Sequence, residues 1–98
     1  MKISPSGTKI WEFSEHTGAV RSVAVDDQGN VYSGSYDKKI MKISPSGTKI
    51  WEFSGNTSYV NSVVVDNQEN VYSGSGDNKV FKIKQEGDTK VVGYEVIK

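Results

Sequence analysis

The chain repeats itself. Lys2–Met41 aligns without a gap on Lys42–Phe81, a period of 40 residues. The first 13 positions, KISPSGTKIWEFS, are identical, and 15 of the following 27 match, so 28 of 40 agree. A third, shorter copy starts at Lys82 (KIKQEGDTKVVGYEVIK) and loses the pattern within a few residues. A unit of this length is one supersecondary element, too short to be a domain. Such units cannot bury their apolar faces alone and must stack on one another.

Each unit reads as four short strands between turn signals. Val20–Asp26 (VRSVAVD) is β-branched and ends in the turn Asp27-Gln28-Gly29-Asn30. Val31–Ser35 (VYSGS) follows and is closed by Tyr36-Asp37-Lys38; Lys39–Ile43 (KIMKI) is closed by Ser44-Pro45-Ser46-Gly47. Thr48–Ser54 (TKIWEFS) is the fourth. Val, Ile, Tyr, Phe and Trp fill the runs, while Gly, Pro, Asn, Asp and Ser separate them. Four strands per period of about 40 residues is the arithmetic of a β-propeller blade. The expected fold is therefore all-β, with antiparallel four-stranded β-propeller blades in an incomplete propeller. Residues 1–14 form a partial blade (the outer hairpin), 15–54 one blade, and 55–98 a second with a divergent C-terminal hairpin. The first strand of each unit carries apolar or small groups on both faces, which predicts a strand covered on both sides. The fourth places Trp51 and Phe53 on one face and Ile50 and Glu52 on the other, as a half-exposed strand requires.

Two and a half blades are fewer than the roughly four to eight that close a propeller. Closure then comes from other copies of the chain or from further units in a longer array; a recently duplicated or decaying gene product is the third reading. If the tail from Lys82 were displaced, Met1–Ser14 could complete a neighbour's second blade.

Composition narrows the function. Twelve Lys+Arg balance 12 Asp+Glu in 98 residues, which removes the basic footprint of a nucleic-acid binder and any electrostatic case for an anionic membrane. There is no cysteine, so disulfides, thiolate catalysis and Cys-ligated metals are excluded. No run approaches the ~18 apolar residues of a membrane span, and MKISPSGTKIW has no signal-peptide core. A cytoplasmic location is expected.

The stretch His16–Ile43 (HTGAVRSVAVDDQGNVYSGSYDKKIMKI) resembles a WD-repeat blade. WD repeats have Gly-His before the inner strand, Ser in the second strand, Asp in the turn after it and Trp-Asp ending the third. The resemblance implies that His16, Ser33 and Asp37 form the hydrogen-bonding set that braces the blade. Ile43-Ser44 and Ile83-Lys84 stand where Trp-Asp would be, and the Gly-His pair is Glu15-His16 in one copy and Gly55-Asn56 in the other. VYSGSYDKKIMKISPSGTKIWEF also resembles quinoprotein-type propeller repeats, whose outer-strand Trp docks between blades; Trp11 and Trp51 match that position. NVYSGS resembles NHL-type repeats.

His16 is the one histidine, and the second copy has Asn56 in its place, so no Ser/His/Asp catalytic set recurs. The segment Asp26–Asn30 lacks the spacing of a Ca²⁺ loop and reads as a hairpin turn. Neither catalytic residues, a metal site nor a cofactor is expected. Twelve positions differ between the copies, and seven of them, Arg21/Asn61 included, are expected to fall in two connections that share one end of a propeller. Tyr36, Tyr59 and Arg21 are types enriched at binding hot spots and are the candidate anchors for a protein partner. The resulting expectation is a non-enzymatic, protein-binding scaffold, completed as a homo-oligomer or within a longer array. The alternatives are a piece of a quinoprotein-like enzyme, disfavoured because Arg21 is the only arginine, and a glycan-binding propeller using Trp11 and Trp51.

Overall fold

The computed structural model describes residues 1–86 and 90–97; residues 87–89 and 98, within the short third copy, lie outside it. The described residues form ten strands and no helix: β1 (Lys2–Ile3), β2 (Lys9–Trp11), β3 (Val20–Val25), β4 (Val31–Ser35), β5 (Ile40–Ile43), β6 (Lys49–Phe53), β7 (Val60–Val65), β8 (Val71–Ser75), β9 (Val80–Glu86) and β10 (Lys90–Ile97). They make two antiparallel four-stranded meanders, β3-β4-β5-β6 and β7-β8-β9-β10, and one hairpin, β1-β2. The expected all-β blade architecture is what the chain adopts.

Register fixes the faces. Val20, Val23 and Val25 pair with Ser35, Ser33 and Val31, and Val31 pairs with Ile43, so these side chains share one face of the first sheet. Ala24, Tyr32, Gly34, Ile40 and Trp51 share the other. A register shift between Val20 and Ser22, repeated between Val60 and Ser62, bends each inner strand at its start. The second sheet repeats this pattern with Val60, Val63, Val71, Phe81 and Ile83 on its first face. One core forms where the second face of the first sheet meets the first face of the second: Tyr32, Ile40, Trp51 and Phe53 against Val60, Val63, Val71, Phe81 and Ile83. Gly34 makes the approach possible, because a Cβ there would lie 2.5 Å from Val60 Cγ1 and 2.6 Å from Val63 Cγ2.

The expectation that the first strand is covered on both sides fails in the first sheet. Val20, Val23 and Val25 are 50%, 64% and 62% exposed, whereas the central strands β4 and β5 are buried. Coverage depends on the next sheet and not on the strand's own pattern. Val60 and Val63, the equivalents of Val20 and Val23, are buried because the first sheet lies on them. Among the described residues, Val20–Val25 faces the hairpin β1-β2 across a cleft.

Candidate functional site

The connections β2–β3 and β4–β5 meet through a buried histidine. His16 Nδ1–H donates to Asp37 Oδ2 at 2.9 Å, and the Ser33 hydroxyl lies 2.6 Å from Nε2, which accepts from it in that tautomer. The His16 and Asp37 side chains are almost fully buried. Asp37 also accepts from the backbone N–H of Thr17 and of Lys39, both at 3.0 Å. Burial alone would raise the Asp37 pKa; the bonds from His16, Thr17 and Lys39 outweigh it and hold the carboxyl below the ordinary carboxylate value. The set joins the β2–β3 and β4–β5 connections to strand β4. In the second sheet Asn56 accepts from Ser73 at 3.2 Å but does not bridge to Asp77, which is bonded by Thr57 instead.

Tyr36, Tyr59 and Arg21 come together at the same end. The two rings meet edge to face with centroids 4.8 Å apart, and the Arg21 guanidinium lies 5.1 Å from the Tyr36 ring centroid. Tyr36 and Tyr59 are 44% and 42% exposed. Arg21 belongs to β3 itself, at the register shift, and not to a connection. The rings fit by a swap of sizes between copies. The first has Ala19 and Tyr36 where the second has Tyr59 and Gly76, and a Cβ on Gly76 would lie 2.5 Å from Tyr59 Cζ. Tyr59 therefore lies over Gly76 and against Tyr36. This exchange is readable in the two copies once they are aligned.

Trp11 and Trp51 occupy equivalent positions on β2 and β6. Trp51 is buried, tilted against Tyr32 at 6.0 Å, and donates from Nε1 to Gln85 Oε1 at 3.1 Å. Trp11 donates to the Pro45 carbonyl at 2.9 Å and lies on Gly47, where a Cβ would come within 2.9 Å of the ring. Gly47 also has φ +92°, so both the turn and the indole require glycine there. Trp51 is thus enclosed in the core, while Trp11 is half-buried with one side on Gly47.

A family model described as "WD domain, G-beta repeat" matches residues 7–42 and 47–82. The chain belongs to the WD40-repeat family. No curated protein sequence matches it. Among solved structures it resembles one titled "Structure of Dos1 propeller", with a TM-score of 0.74 over 97% of this chain at 10% identity. That likeness concerns the fold, and the WD40 chain spans 23% of that structure's length.

Residues that sequence reasoning missed sit between the sheets of this WD40 pair. Lys42 is fully buried; its Nζ donates to Gln85 Oε1 at 2.8 Å and lies 5.4 Å from the Tyr32 ring centroid. Gln85 Nε2 donates to Tyr32 Oη at 2.9 Å and to the Glu69 carbonyl at 2.8 Å. The Tyr32 hydroxyl donates to Asp26 Oδ2 at 2.8 Å, and burial pushes its pKa well above the ordinary tyrosine range. Asp26 spends its other oxygen on the Gln28 and Asn30 N–H groups. It is thereby a turn and packing residue, and no cluster of metal-ligating side chains occurs among the described residues.

Proposed function

We propose that this WD40 pair is a non-enzymatic protein-interaction module, a rigid scaffold whose open faces are covered by further blades. The observation that carries the reading is the exposed Tyr36–Tyr59–Arg21 cluster. Two rings and a guanidinium preset against one another lose little conformational entropy on binding and offer both apolar and polar contact. The brace through His16, Ser33 and Asp37 holds the β2–β3 and β4–β5 connections that present it. A cysteine-free chain of zero net charge fits a cytoplasmic protein partner better than a nucleic acid or a membrane.

The test is a photo-crosslinking amino acid at position 59 in the intact chain. A protein partner is expected to crosslink there, to be competed by unmodified chain, and to be lost on Tyr36→Ala with Arg21→Ala while the circular dichroism is unchanged. Crosslinking that survives both substitutions overturns the reading.

A further inference from the structure

The hairpin β1-β2 faces the first sheet as β5-β6 faces the second, and among the described residues no further strand pairs with it. Beneath it opens a cleft of about 480 Å³, floored by Val23, Val25, Val31 and Ile43 and roofed by Trp11 and Phe13. The repeat shows what shape this is. On the second sheet, the equivalents of that floor (Val63, Val65, Val71 and Ile83) are covered by Trp51 and Phe53 from β6 and also by Tyr32, Ala24 and Gly34 from β3 and β4. By the repeat, a pair shaped like β3-β4 would fit the cleft. Beside it, β1 pairs among the described residues only with β2.

The far side of the molecule offers the matching surface. Ser62, Val64, Tyr72 and Gly74 stand where Ser22, Ala24, Tyr32 and Gly34 stand in the first sheet. Val64 is 57% exposed. A Cβ on Gly74 meets nothing nearer than Ser62 Cβ at 3.8 Å, although the equivalent Gly34 is closed in by two valines. Ser22 Oγ accepts from the Val63 N–H at 3.0 Å, a bond to the neighbouring sheet that Ser62 is placed to repeat. The outer strand, however, differs: Trp51 pairs with Lys42, but Glu95 pairs with the equivalent Lys82. The strands β9-β10 therefore lack the indole that docks one sheet on the next, while β1-β2 already holds Trp11 docked.

We propose that two copies of this chain share a sheet: β1-β2 of one copy pairs with β8 of a second, replacing β9-β10 there, and β7-β8 of the second fill the cleft. The register is that of β4 on β5. Val31, Tyr32 and Ser33 pair with Ile43, Lys42 and Met41, and the identical Val71, Tyr72 and Ser73 then pair with Ile3, Lys2 and Met1 of the other copy. The joint is head to tail, so it propagates into a ring when the rotation closes. It rests on the reading that the open faces are covered by further blades, and it names the blade.

The full chain is the material for the test. Its mass by light scattering is expected to be a multiple of the monomer; a monomer at all concentrations overturns both this proposal and completion by copies. Since the chain has no cysteine, Lys2→Cys with Tyr72→Cys reports the joint alone. The whole first sheet separates the two positions within one copy, so their disulfide links two copies. Oxidation is expected to give linked chains on a non-reducing gel. An assembled chain that does not link overturns the shared sheet and leaves completion by copies standing. Tyr72→Cys with Lys82→Cys, oxidised, ties β9 to β8 and is expected to give monomer. Gly74→Val is expected to give monomer with unchanged circular dichroism; assembly unaffected by either change overturns the proposal.

Discussion

His16 and Asn56 occupy one structural position in two sheets and differ in reach. The imidazole spans from Ser33 to Asp37, whereas Asn56 is satisfied by Ser73 on one side only. Among the described residues nothing accepts from the buried Asn56 Nδ2. An unpaired buried donor costs about 1–3 kcal/mol. Asn56→His is therefore expected to raise the urea midpoint by the equivalent of ~1–2 kcal/mol, and His16→Asn to lower it similarly. Equal midpoints would show that the Thr57–Asp77 bond already substitutes for the imidazole. The carboxylates in these turns set an acid limit. Hydrogen bonds hold Asp26, Asp37 and Asp66 below their ordinary values despite burial. A depressed folded value means a contribution that is full above the unfolded value of ~3.9 and is lost as pH falls through the folded values. The contribution of these carboxylates should be flat above about pH 5 and fall steeply below about 4. Asp37→Asn is expected to flatten that fall, as read from urea midpoints across pH.

The hairpins β1-β2 and β5-β6 share the sequence KISPSGTKIWEF and differ in surroundings. β5 is buried throughout, while Lys2, Ile3, Lys9 and Ile10 are exposed. The amides of Lys42 and Trp51 are expected to exchange at least ~10-fold more slowly than those of Lys2 and Trp11. Equal protection would mean that hairpin propensity, and not packing, holds these strands. The same comparison shows what the sequence can and cannot disclose. Strands, turns and the period follow from local chemistry, which is the same in every copy. Burial does not: Lys42 is buried and Lys2 exposed within the same KI, because only the former has a Gln85 across from it. Gln85 stands at the place of Pro45 in the repeat, a difference that looks like decay until the side chain is seen joining Lys42, Trp51 and Tyr32. The Tyr59/Gly76 exchange for Ala19/Tyr36 was legible, because both members of the pair change together.

Over the whole molecule, the two sheets share one core, and neither has a sufficient one of its own. Tyr32, Ile40, Trp51 and Phe53 are buried by residues of the second sheet, and Val60, Val63, Val71, Phe81 and Ile83 lie on the shared side. In a repeat array, stability is the sum of units and the interfaces between them. With a single such interface holding the core, the units have no route to unfold separately, and the pair should melt as one two-state body. Strand content by circular dichroism and the fluorescence of Trp51, followed in a Trp11→Phe background, are expected to give coincident urea transitions. Gly34→Ala tests the coupling directly. Its Cβ would collide with Val60 and Val63 across the interface, which costs about 1–3 kcal/mol of overpacking. Because the interface is common to both sheets, the substitution is expected to shift both signals equally and keep them superimposed. Gly74→Ala, at the equivalent position on the open face, meets no such contact and should leave both midpoints of the unassembled chain within ~0.5 kcal/mol of the parent. If Gly34→Ala splits the transitions, each sheet holds a core of its own and the interface is a contact between independent units.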